Sequence, residues 1–260
     1  MRAEHGFVWY VRGNVLKDGD TPWEGTPMRR LALVLLCLIA TPAMAISDKP
    51  YITASDVDFA GLLPPPPKED TPEGKRDLQI LLDLQKNMTP ARMAAIEHDV
   101  DQSVYTVAGS VLGPKFTKEN FPMAGEFFAK VVKDAGVGVG PIKQKYKKLR
   151  PFQYSKDVKT PEAIAKASGG PTYPSGHSTT GALVPIILGM MVPEKREALY
   201  ERGWEYGVNR MTSGAAYPSD WEGGHITATL AVHEMLKNPA FRADFDAVKA
   251  EVRKGLGLPL

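Results

Sequence analysis

Residues 174–192 read Pro-Ser-Gly-His-Ser-Thr-Thr-Gly-Ala-Leu-Val-Pro-Ile-Ile-Leu-Gly-Met-Met-Val. Ser175 is an N-cap residue type, and the spacing predicts an apolar helix over Ser178 to Val192. Working outward, helices are expected at Pro161 to Ala167, Pro193 to Met211, Asp220 to Lys237 and Ala240 to Lys254. Further upstream, Thr71-Pro72 and Thr89-Pro90 each pair an N-cap with a first-turn proline. Leu78, Leu81, Leu82 and Gln85 follow the first pair at helical spacing, and Met93, Ile96, Val100 and Val104 share one face after the second. Pro122 opens a helix holding Phe127, Phe128, Val131 and Val132, which the Gly136 to Gly140 stretch should end. Alternating, β-branched strand patterns are almost absent. The expectation is a single all-α domain of roughly eight to ten helices, without internal repeats.

The bulk numbers exclude little. The chain has 260 residues, 43% hydrophobic and 24% charged, with a net charge of +2. That composition is globular and gives no reason to expect a nucleic-acid partner. The N-terminus is more informative. Met28-Arg29-Arg30, the apolar Leu31 to Ala40, the Thr41-Pro42 break and Ala43-Met44-Ala45 form the secretory signal pattern. Its apolar part is too short to span a bilayer. Residues 1–27 read as an over-extended N-terminus, 28–45 as the signal, 46–70 as a proline-rich extended arm and 71–260 as the helical domain. Cys37, the one cysteine, would leave with the signal, and Leu36 before it is too large for a lipoprotein site. The expectation is a periplasmic protein with no disulfide, no thiol chemistry and no membrane span.

Three polar segments interrupt the helical scheme. Lys143 stands seven residues before Arg150-Pro151; Pro174-Ser175-Gly176-His177 opens the apolar helix; and Asn209-Arg210 is followed after five residues by Ala216, then by Asp220. Taken singly, each has an ordinary structural explanation: a solvated lysine face, a helix cap, an ion-pairing arginine. Taken together, in this order and at these spacings, they resemble the signature of the type-2 phosphatidic-acid phosphatase and vanadium haloperoxidase superfamily. Two positions depart from it. Asn209 stands where serine is usual, and Ala216 stands where histidine is expected. The signal and the length make the chain similar to the class A nonspecific acid phosphatases, secreted enzymes without membrane segments.

The residue types suit a phosphate ester. Arg150 and Arg210 can each offer a planar fork of donors, and Lys143 a compact charge. Ser175 offers a hydroxyl, while the Gly176 and His177 amides lie at a helix N-terminus, where the macrodipole favours an anion. Gly176 has no side chain to block close approach. No metal and no cofactor is expected, since His98, His225 and His233 form no ligand motif. The resemblance implies that His177 protonates the leaving alcohol and that a histidine at position 216 attacks phosphorus. It also implies that Asp220 orients that histidine, that phosphate monoesters, phosphate and vanadate are the ligands, and that a homo-oligomer is possible. Ala216 cannot attack. His225 lies roughly 140° around the helix from Asp220 and should point elsewhere. Two readings follow: an acid phosphatase whose histidine was replaced, or a natural pseudoenzyme that binds phospho-ligands without turnover.

Overall fold

A computed structural model describes residues 45–260. The expectations for residues 1–27 and for the signal peptide, apart from Ala45, lie outside the described residues. The described chain is all-α, with eleven α-helices and one 3-10 turn. In order these are α1 (Phe59–Leu62), α2 (Pro72–Lys86), α3 (Pro90–His98), α4 (Val104–Leu112), α5 (Pro122–Tyr146) and α6 (Pro151–Tyr154). There follow α7 (Glu162–Ala167), α8 (Gly176–Met191), the 3-10 turn (Pro193–Lys195), α9 (Arg196–Thr212), α10 (Pro218–Met235) and α11 (Pro239–Gly255). None of the described helices is long and apolar enough to cross a membrane.

The capping devices operate as their chemistry dictates. Thr71 Oγ1 accepts from Gly74 N at 3.2 Å and Thr89 Oγ1 from Arg92 N at 3.1 Å, and proline occupies the first turn in both cases. Ser175 Oγ accepts from Ser178 N at 3.2 Å, so α8 starts at Gly176 rather than Ser178.

Helix α8 is the axis of the core. Twelve of its sixteen residues are buried, including Leu183, Val184, Ile187 and Leu188. It packs between α9 and α10, and small residues set how close those helices come. A Cβ on Gly203 of α9 would lie 2.1 Å from the Gly181 carbonyl oxygen of α8. One on Gly224 of α10 would lie 2.7 Å from the Ser175 carbonyl oxygen.

Three sequence expectations are corrected. The glycine stretch 136–140 does not end α5, which runs on through Pro141 to Tyr146. Burial of Ala135, Gly138 and Ile142 outweighs the weak helix propensity of glycine. Gly138 is a packing residue, since a Cβ there would lie 2.7 Å from the Phe59 ring. Next, the face from Met93 to Val104 belongs to two helices. The chain leaves α3 after His98, and Asp99, 1% exposed, anchors the break by accepting from Arg202 and Asn209. Finally, the arm at 46–70 is not merely a surface extension. Ile46, Tyr51, Ile52, Val57, Phe59 and Leu63 are buried in the main core, while Pro64 and Pro65 are exposed. Tyr51 anchors this segment, its N–H donating to Asp134 Oδ2 at 2.8 Å and its hydroxyl to Asp244 Oδ2 at 2.6 Å.

Candidate active site

The continuation of α5 brings Lys143 into its last turn, and the chain then reverses through Lys147, at φ 47°. Lys143 Nζ donates to the Pro171 and Thr172 carbonyls at 2.6 and 2.9 Å. Arg150, at the start of α6, donates from Nε to the Gly170 carbonyl at 2.8 Å and from Nη1 to the Ala215 carbonyl at 2.7 Å. Arg210, near the end of α9 and 5% exposed, donates from Nη2 to Ser168 Oγ at 3.0 Å. Among the described residues that is the only acceptor for its side chain, which leaves most of its fork for an external oxygen. The segment 168–175 thus ties the first polar motif to the third and leads directly into the second.

The charges crowd one another. Lys143 is held down to about 8, first by burial and then by Arg150. Arg210 is held down to about 10 by burial and again by Arg150. His177 is held down to about 3 by burial, then by Arg210, with Arg150 adding to the effect. Arg150 thus opposes the charge of Lys143, Arg210 and His177 alike, a crowding that an anion would relieve. The N-terminus of α8 is tied to the third segment, Ser175 N donating to the Asp220 carbonyl at 3.0 Å. A Cβ on Gly176 would meet nothing within 4 Å, so space is open above that turn.

His177 is fixed by two neighbours that sequence reasoning missed. Its Nε2 lies 3.0 Å from the Val100 carbonyl, a pairing that requires the proton on Nε2. Its ring stacks on Tyr206 at 5.9 Å between centroids. Tyr206 in turn donates to the Asp101 carbonyl at 2.8 Å. Asn209 is engaged by Asp99. Its Nδ2 donates to Asp99 Oδ2 at 2.6 Å, and its Oδ1 is buried without a partner.

Ala216 is 2% exposed and sits in the turn between α9 and α10. Asp220, fully buried, accepts at Oδ2 from Thr172 Oγ1 at 2.6 Å and from Tyr217 N at 2.7 Å. Its Oδ1 has no hydrogen-bond partner. The nearest cation, Lys148 Nζ, stands 4.0 Å from Oδ1 and donates instead to Ser219 Oγ at 3.2 Å. Burial pushes the Asp220 carboxyl up from its ordinary value, and Lys148 opposes that shift. Lys148 and Thr172 are further members of the site. Lys148 belongs to the basic run 143–148, whose pattern alone suggests a solvated face, yet it is 7% exposed.

His225 packs between aromatic rings, 4.0 Å from Trp221 and 6.1 Å from Trp204, with Nδ1 on the Trp221 carbonyl at 3.0 Å. It is not part of the site. No group of three or more His, Cys, Asp or Glu side chains suited to a metal occurs among the described residues.

This arrangement coincides with a known sequence pattern. Residues 127–242 match the model of the PAP2 superfamily, and the all-α architecture agrees with that fold. That segment contains every polar residue described above from Lys143 to Asp220. The chain is similar, more particularly, to the non-specific acid phosphatase of Salmonella typhi, at 26% identity over 230 residues, covering 86% of this chain and 92% of that protein. It is 28% identical over 223 residues to the non-specific acid phosphatase of Providencia stuartii, covering 82% and 90%. An acid phosphatase of Zymomonas mobilis matches at 25% over 199 residues, covering 74% of each chain.

Proposed function

We propose that this chain is a periplasmic phosphomonoester-binding protein of the acid phosphatase type, built for hydrolysis through a phosphohistidine but lacking the nucleophile at Ala216. The observation that carries this reading is the crowding of Lys143 and Arg210 by Arg150, with both arginines acting on His177 in the first turn of α8 and a buried Asp220 keeping one unpartnered oxygen. The arginine forks and the α8 amides would hold the phosphoryl oxygens, and they would do so more strongly as charge spreads over those oxygens in the transition state. None of this requires a metal.

His177 fits the role of proton donor. In the protein alone Arg210 and Arg150 oppose its protonation. Burial opposes it more strongly still, and a bound phosphate, by neutralising both arginines, would remove their share of that opposition as substrate arrives. With a histidine at 216, its nitrogen would bond to phosphorus while the ester oxygen departs with the His177 proton, and water would later cleave the P–N bond. With alanine, only direct attack by water is open.

Asp220 favours a replaced histidine over a long-adapted pseudoenzyme. A buried carboxylate oxygen without a donor costs about 1–3 kcal/mol. An imidazole N–H at position 216 would remove that cost, whereas a dedicated binding protein has no use for it.

Calorimetry with orthophosphate tests the binding half. Saturable binding is expected at or below millimolar concentration, with vanadate weaker than its usual advantage because no histidine nitrogen can bond to it. Arg210→Ala should weaken phosphate by about ten- to a hundredfold, as a charge-assisted pair of about 1.5–3 kcal/mol is lost. No saturation at millimolar phosphate would contradict the reading.

A further inference from the structure

A cleft of about 160 Å³ opens beside the N-terminus of α8, between that helix and α5. Its α5 wall is Val132, Ala135, Gly136 and Val139, which share one helical face with Lys143, a turn further along. Its α8 wall is Gly176, Thr179, Thr180 and Leu183, again one face, beginning at the residue before His177. Gln102 closes one end, two residues after the Val100 carbonyl that holds His177. The cleft therefore adjoins the anion site along both of its walls.

Its chemistry differs from that of the site. No ionisable side chain lines it. The two threonine hydroxyls are already engaged: Thr179 Oγ1 donates to the Ser175 carbonyl at 3.0 Å, and Thr180 Oγ1 contacts Gln102 Oε1 at 3.1 Å and the Gly176 carbonyl at 3.2 Å. A sugar lodged here would find the Gln102 amide at one end but would press its other hydroxyls against Val132, Ala135, Val139 and Leu183 without partners, which is costly. An apolar group meets no such penalty. An apolar protein cavity of about 150 Å³ accommodates benzene.

Resting on the phosphate-site reading, we infer that this cleft is the leaving-group subsite and that it takes one ring-sized apolar group, which makes aryl phosphates the preferred substrate class. Ala135, Gly136 and Gly176 are its determinants, since their small size keeps it open. A Cβ on Gly136 would meet nothing within 4 Å, so a larger residue there can enter the space without displacing protein atoms.

The test uses the chain as it is, with three non-hydrolysable probes titrated by calorimetry: orthophosphate, methylphosphonate and phenylphosphonate. Phenylphosphonate is expected to bind about tenfold more tightly than methylphosphonate, the worth of a partly buried ring. Gly136→Leu should abolish that advantage and leave orthophosphate and methylphosphonate within twofold of the parent. Val139→Phe fills the same space from a residue that already carries a side chain, and serves if Gly136→Leu loses its helical circular dichroism. Equal binding of the two phosphonates, or a phenyl advantage that survives both folded variants, would overturn the subsite while orthophosphate binding keeps the anion site standing. Failure of all three probes would overturn the phosphate reading and the subsite with it.

Discussion

Burial and Arg210 hold His177 at about 3 in the protein alone, against an ordinary value of 6.5, and that gap has a thermodynamic sign. As pH falls through 6.5 the unfolded chain takes the proton and the folded chain does not. The stability associated with the neutral ring is therefore complete above pH 6.5 and is lost progressively towards pH 3. Removing the imidazole should flatten this slope. Between pH 6.5 and 5 the parent should lose roughly 2 kcal/mol more than His177→Asn, measured by urea denaturation at each pH. Parallel losses would show that burial and the arginines do not hold the ring neutral. Lys143, Arg150, Ser175, His177, Arg210 and Asp220 can be singled out in the sequence because each lies in a motif of fixed spacing. Lys148, Thr172 and Tyr206 cannot, since their roles depend on which helix lies opposite them. Lys148 in particular is buried by Asp77, Tyr217 and Asp220, residues distant in sequence.

At the scale of elements, legibility followed local chemistry. Thr71, Thr89 and Ser175 start helices because a side-chain oxygen caps within three residues, and after the two threonines a proline adds its missing N–H. The end of α5 was misread because the Gly136 to Gly140 stretch obeys a distant constraint, the approach of Phe59 from the arm. The break after His98 was hidden for a similar reason, since Asp99 is held there by Arg202 from α9. The glycines of the α8 interfaces matter for chemistry as well as packing. Gly224 keeps α10 against the Ser175 carbonyl, which places Asp220 beside the α8 N-terminus, and Ser175 N donates to the Asp220 carbonyl at 3.0 Å. A methyl group there would meet backbone at 2.7 and 2.9 Å, and backbone cannot rotate away. Gly224→Ala should destabilise the fold by about 1–3 kcal/mol and weaken phosphate binding in the molecules that remain folded. Thermal denaturation and calorimetry together check this; unchanged stability would mean that the two helices have slack.

Across the whole molecule, the net charge is only +2, so the proposed attraction for a phosphate ester would be a local property of a few buried and half-buried cations rather than of the surface. The fold's work is to hold those cations close despite their mutual repulsion, by tethering Lys143 and Arg150 to carbonyls of 170–172 and 215 and Arg210 to Ser168. On the proposed reading the binding groups are preorganised, and position 216, where the attacking group would stand, carries only a methyl. Turnover of an aryl phosphate by this chain and by its Ala216→His form, compared at pH 5 under identical conditions, tests that claim directly. Restoring the imidazole should raise the rate by at least about a thousandfold, with the residual rate of the parent coming from water attack on a well-bound ester. Equal rates in the two forms would contradict the account, because Ala216 would then not occupy the nucleophile's position.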